Sequence, residues 1–166
     1  MMNLDKNTTI YLTSKESKAR IKKIPESELL HDSITELRSI KVDNNQIRQS
    51  ILGFGGAFTE ASASVFHQLD ADKKSEIIQA YFGDNGNQYN MGRTHINSCD
   101  FSLGNYALCE KEDRKLTDFS IERDKKMLIP FIKEALNEAS APILLMASPW
   151  SPPPWMKTNN QMNHGG

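Results

Sequence analysis

The spacing of apolar positions changes along the chain, and each change marks an element. Ile143-Leu-Leu-Met-Ala-Ser148 carries no charge. A short unbroken apolar run of this kind predicts a strand buried on both faces, as in a parallel sheet. Pro149 has no N–H to donate and is expected to stop the strand there. Upstream, Met127, Leu128, Phe131, Ile132, Ala135, Leu136 and Ala139 fall on one helical stripe. Pro130 predicts a joint between a leading turn and the helix proper, because in a helix interior it would break a backbone bond. Ile77, Ile78, Tyr81 and Phe82 give a second helical face, beginning near Asp70 or Asp72 and capped by Gly83. A shorter helix is predicted from about Ala61 to His67, and a strand within Tyr89–Ile96.

Nearer the N-terminus the period shortens to two. Ile40 and Val42 alternate with polar neighbours, Ile47 and Ile51 do so less strictly, and Asp43-Asn44-Asn45 lies between them. That pattern predicts a β-hairpin. Residues 1 to about 38 carry the weakest signal: Thr8 to Thr13 is β-prone and Pro25 interrupts a basic stretch, so short strands and loops are expected. The order is hairpin, strand, helices, strand, loop, helix, strand. Repeated βα units predict an α/β fold with a parallel sheet and crossover connections. About three such units are visible, and the Asn/Gly-rich Asn159 to Gly166 follows the third strand, which reads as a chain cut short.

Composition narrows the function classes. With 20 Lys and Arg against 21 Asp and Glu, the net charge of -1 gives no reason to expect a nucleic acid or an anionic membrane as partner. No window approaches a membrane span, and the first thirty residues lack the apolar core of a signal peptide, so a cytoplasmic location is expected. Cys99 and Cys109 fit no zinc spacing and make no disulfide framework; they are expected to be free thiols, with no metal.

Candidate chemistry gathers at strand ends. Trp150 and Trp155 flank Ser151-Pro-Pro-Pro154, a stiff loop at the carboxyl end of a strand, where parallel α/β folds bind ligands. An indole there either receives a sugar ring or packs beneath its own loop. Arg93, Asp100, Glu60 and His95 are the charged or titratable groups at or near the strand ends. Asp100 reads either as an acceptor for two sugar hydroxyls or as a loop cap. Arg93, inside an apolar strand, must be paired if buried and reads as structural. Glu60 is expected to pair with Arg93 or with an amide, and His95 to be a hydrogen-bonded core residue. Gly53-Phe-Gly-Gly56 raises a nucleotide fingerprint, which fails because the third glycine position is Phe58. Tight packing at a strand end is the expectation instead.

Three segments, in this order, carry a resemblance: Gly53-Phe-Gly-Gly-Ala-Phe-Thr-Glu60, Arg93-Thr-His-Ile-Asn-Ser-Cys-Asp-Phe-Ser102, and the run from Ala147 through Ser148-Pro-Trp-Ser-Pro-Pro-Pro-Trp155 to Asn159. From about residue 39 onward the chain resembles glycoside hydrolase family 30, on the branch holding glucosylceramidases (acid β-glucosidases) and endo-β-1,6-glucanases. The resemblance implies a (β/α)8 TIM barrel with an attached β-sandwich. Residues 1–45 would contribute strands to the side domain, and 46–166 would form the first three βα units of an incomplete barrel. It implies retaining hydrolysis of β-glucosides, glucosylceramide or a β-glucan, with no cofactor. By the same resemblance Asp100, Trp150 and Phe101 are substrate-binding residues and Arg93 supports the catalytic carboxylates. Both catalytic glutamates are expected beyond Gly166, so no residue here inherits either role. This chain is then expected to be inactive alone, completed by the remainder of the catalytic domain. The alternatives are an inactive sugar-binding or remnant module, or an endo-β-1,6-glucanase in the complete enzyme. The chain departs from the pattern at Thr94-His95, where relatives often carry a proline and an apolar residue.

Overall fold

The computed structural model describes residues 9–25 and 43–165. The chain divides into two compact units, Met1–Gln49 and Ser50–Gly166. In the first, β1 (Ile10–Ser14) and β2 (Ala19–Ile24) pair antiparallel, with Ile10 opposite Ile24. The hairpin predicted across residues 39–51 is not formed in its described part. Residues 39–42 lie outside the described residues, and 43–51 are turn and coil. There the Asp43 carboxylate accepts the Asn45 N–H and its carbonyl the Gln46 N–H, at 3.0 and 3.1 Å. This local Asx turn satisfies the backbone without a ladder. Ile47 and Ile51 are accordingly 87% and 70% exposed.

The second unit is a three-stranded parallel sheet in the order β3 (Gly55–Phe58), β4 (Met91–Ile96), β5 (Leu144–Pro149). Between β3 and β4 run α1 (Glu60–Gln68) and α2 (Ala71–Phe82); α3 (Leu128–Glu138) joins β4 to β5. The helix starts follow capping chemistry. Thr59 Oγ1 accepts the Ser62 N–H at 3.1 Å, and Asp70 Oδ1 accepts the Lys73 N–H at 2.8 Å. Gly83 closes α2, donating to the Gln79 carbonyl, but at φ -73 rather than in the left-handed cap conformation. Pro130 is the third residue of α3, not its joint. Its missing N–H would have had no acceptor within the first turn, so no helical bond is broken. The joint is Met127, at φ -139, after a single 3-10 turn at Asp124–Lys126.

One apolar core, formed by Phe58, Ala63, Phe66, Ile78, Phe82, Leu128, Phe131, Ile132 and Ala135, fixes the three helices to one sheet face. Phe131 sits at its centre, with ring centroids 4.6 Å from Phe66 and 5.5 Å from Phe58. Two glycines let the strands close up. A Cβ on Gly55 would run into the Met91 carbonyl, and one on Gly92 would lie 2.7 Å from the Phe58 ring. The glycines therefore serve backbone packing, as expected of a tight strand end.

The expectation that the last strand is buried on both faces is corrected: Leu144, Leu145 and Met146 are 55%, 43% and 57% exposed. β5 lies at one edge of the sheet, with β4 its only partner among the described residues. The strand stops at Pro149, as expected: it is the last residue in register, opposite Ile96, and after it a single N–H, that of Trp150, donates to the Ile96 carbonyl at 3.3 Å.

Candidate functional site

All three parallel strands point their carboxyl ends the same way, and the segments leaving those ends are Thr59–Glu60, the loop after Ile96, and Trp150 onward. Ala57, Arg93 and Met146 stand in register across the sheet. Side chains alternate along a strand, so these three face away from the Phe58 core. Arg93 is therefore exposed rather than buried, and it needs no buried counter-ion. Its guanidinium instead lies over the Trp150 ring, 5.1 Å from the centroid.

Arg93, Phe101 and Trp150 line one cavity of about 200 Å3, together with Thr94, His95 and Cys99. Trp150 and Phe101 are 44% and 58% exposed, so neither aromatic is used up in packing. The structure thus places three of the four candidate residues around one space. The fourth, Asp100, is adjacent in sequence to Phe101 and exposed on the same turn, but does not line the cavity. Among the described residues its carboxylate makes no hydrogen bond or ion pair, so the loop-cap alternative has no support. Trp155 plays a different part, since its indole N–H donates to the Cys109 carbonyl at 2.9 Å and holds its own loop down.

The turn that carries Asp100 and Phe101 is anchored on the start of α1. The Phe101 carbonyl accepts the Ala61 N–H at 3.0 Å, one of the donors that a helix N-terminus leaves unpaired. Glu60, only 4% exposed, accepts the Leu103 N–H at 2.8 Å. The same carboxylate takes two bonds from Arg123, at 2.8 and 3.3 Å. Sequence reasoning paired Glu60 with Arg93 or an amide; the amide is found, but the cation is Arg123. No local spacing signals a partner 63 residues away. Hydrogen bonding to Glu60 raises the Arg123 guanidinium above its ordinary value, so the cation is fixed as a charge.

Behind the turn, Arg123 lies 4.2 Å from the Tyr106 ring centroid, and the Tyr106 hydroxyl donates to Asp124 at 3.0 Å. Burial, followed by the Asp124 carboxylate, pushes the Tyr106 phenol well above its usual range, so it stays protonated as a donor. His95 is a buried core histidine, with Nδ1 2.7 Å from the Asn97 carbonyl and Nε2 without a partner. A carbonyl only accepts, so Nδ1 carries the hydrogen. Among the described residues no cluster of His, Cys, Asp and Glu could hold a metal ion, and no helix is long and apolar enough to cross a membrane. Both cysteines are free thiols.

Residues 51–166 match the TIM-barrel domain of glycosyl hydrolase family 30. The chain is 42% identical over 130 residues to putative glucosylceramidase 3 of Caenorhabditis elegans, covering 77% of this chain and 25% of that protein. It is 42% identical over 120 residues to the lysosomal acid glucosylceramidase of Mus musculus, covering 71% of this chain and 23% of that one. The crystal structure of SrfJ from Salmonella typhimurium superposes with a TM-score of 0.67 at 46% identity, over 71% of this chain and 26% of its own. The chain thus spans about a quarter of the length of the relatives it matches.

Proposed function

The chain belongs to glycosyl hydrolase family 30, and from that membership we propose that it supplies part of the glucose-binding subsite of a retaining β-glucosidase of the glucosylceramidase type. Asp100 accepts two hydroxyls of the glucose, as a free carboxylate can. Trp150 and Phe101 offer apolar faces to the ring, and Arg93 supports the catalytic carboxylates from the open sheet face. The observation that carries this reading is the shared cavity of Arg93, Phe101 and Trp150 at the strand ends, with two aromatics left exposed. The 42% identity to two proteins named as glucosylceramidases favours a β-glucoside as the substrate.

In the complete enzyme one glutamate protonates the glycosidic oxygen while a second attacks the anomeric carbon, and water then releases the glycosyl-enzyme. Glu60 fits neither role, because both its oxygens are occupied by Arg123 and the Leu103 amide. The remaining barrel elements are the partner this unit requires, which agrees with the exposure of Leu144, Leu145 and Met146. The same exposure weighs against a free-standing sugar-binding module. The β1–β2 hairpin is assigned by the same reading to a β-sandwich side domain.

Two measurements on the purified 166-residue protein test the proposal. It should release no nitrophenol from a nitrophenyl β-glucoside, and its Trp150 indole signal should respond to D-glucose in an NMR titration. Clear turnover overturns the division of roles. A Trp150 indole response to glucose that survives both Asp100→Asn and Phe101→Ala overturns the subsite.

A further inference from the structure

Asn97 follows the last residue of β4 and holds φ +62, the left-handed region that asparagine enters more readily than most residues. Its own carbonyl is pinned by the Nδ1–H of buried His95. Both ends of its side chain are used. Oδ1 accepts the Leu108 N–H and Nδ2 donates to the Ser151 carbonyl, each at 2.9 Å. The amide cannot be turned round, since a backbone N–H only donates and a carbonyl only accepts. Leu108 lies farther along the loop that carries Asp100 and Phe101, and Ser151 is the residue after Trp150.

We propose that Asn97 is a positioning residue that sets the separation of the Trp150 indole from Asp100 and Phe101, and with it the width of the sugar cleft. The role in sugar binding rests on the subsite reading above; the spatial role does not. The other anchors of Trp150 act differently. Its N–H reaches the Ile96 carbonyl at a longer 3.3 Å, which places the strand end but not the neighbouring loop. Arg93 packs on the indole face without bonding either loop. Further links between the two loops, Trp155 Nε1 to the Cys109 carbonyl and Ser98 Oγ to Met162 Sδ, join them farther along the chain from Trp150.

Two substitutions separate the two bonds. Asn97→Asp keeps an acceptor for Leu108 and tolerates the left-handed backbone, but loses the donor to Ser151. Asn97→Gly tolerates the backbone and loses both bonds. The readouts are the indole N–H resonances of Trp150 and Trp155 in the full 166-residue chain, and a D-glucose titration. In Asn97→Asp the Trp150 resonance should move while Trp155 stays, because the Leu108 contact next to Cys109 is kept. In Asn97→Gly both should move. Loss of one neutral hydrogen bond's worth of preorganisation corresponds to glucose binding weakened ~5-fold in Asn97→Asp. A Trp150 resonance unmoved in Asn97→Asp overturns the proposal, as does a uniform shift of both indoles in that variant. If the parent chain binds no glucose, the subsite reading fails, and the indole resonances alone decide the role of Asn97.

Discussion

Glu60 and Arg123 allow a sharp test, because the two partners are buried to very different degrees. The Glu60 side chain is 6% exposed and that of Arg123 40%. Remove Arg123, and the Glu60 carboxyl is left in a nearly dry site with one backbone N–H to answer it. Breaking a fully buried pair in this way costs about 3–5 kcal/mol. Because Arg123 is over a third exposed, water can reach the vacated side, and about 2–3 kcal/mol is the expected loss for Arg123→Ala. Glu60→Gln is milder. The guanidinium turns to solvent, an amide oxygen can still accept the Leu103 N–H, and the loss is about 1–1.5 kcal/mol. The order of the two variants therefore follows from which partner is left stranded. Urea unfolding of each variant and of Glu60→Gln/Arg123→Ala gives the coupling directly, since the double variant should recover part of the Arg123→Ala loss. Amide exchange at Leu103 should speed up most when Glu60 is replaced by Ala. Equal losses for Glu60→Gln and Arg123→Ala, with additive effects in the double variant, would refute this account of the Glu60–Arg123 pair.

Phe131→Ala empties the point where Phe58 and Phe66 meet α3, and should lower stability by about 3–5 kcal/mol in the same urea experiment; a loss under about 1 kcal/mol would mean the core is not closed there. Asp113 organises the turn after Cys109, bonding Thr117 Oγ1 at 2.6 Å and the Asp118 N–H at 2.8 Å. The Thr117 bond, then the backbone ones, hold its carboxyl below the ordinary value of 3.8. A depressed folded pKa contributes order that is present above 3.8 and is lost as pH falls through the lower folded value. The protection of the Asp118 amide, its exchange rate relative to the intrinsic rate at each pH, should therefore fall only at acid pH, and Asp113→Asn should remove that dependence; protection that is flat with pH in the parent contradicts it.

The strands and helices were legible because each is announced by a local pattern. Phe131, Ile132 and Ala135 recur at helical spacing, and Asp70 caps where an acid at a helix start should. Errors arose where tertiary context overruled the pattern. Ile143 to Ser148 has the composition of a central strand, but a strand is buried only by what lies beside it, and β5 is at an edge here. Ile47 and Ile51 alternate as a hairpin would, yet Asp43 folds its own backbone into an Asx turn. In the candidate site the aromatic and charged residues were found by their place after strand ends. Glu60–Arg123 and Asn97–Ser151 were not, because long-range pairs of polar side chains leave no periodic trace.

Those unseen pairs bear on how a long loop can serve as a binding surface. Residues 97–120 form no strand or helix, and a stretch of that length is costly to order unless the folded state holds it. It is held at spaced points: Asn97 to Leu108, the Phe101 carbonyl to Ala61, Glu60 to Leu103, and the Leu108 carbonyl to Ser120. Every one of these bonds uses backbone of the loop, leaving the Phe101 ring and the Asp100 carboxylate uncommitted. The neutral links contribute about 1 kcal/mol each and the Glu60 one about 1.5–3 kcal/mol, and together they fix the turn before any ligand arrives. A ligand then meets side chains whose ordering is already complete, and less of its binding energy is lost in fixing the loop. If the proposed subsite holds, substitutions at Asn97 or Glu60 should weaken sugar binding by loosening the backbone that presents Phe101 and Trp150.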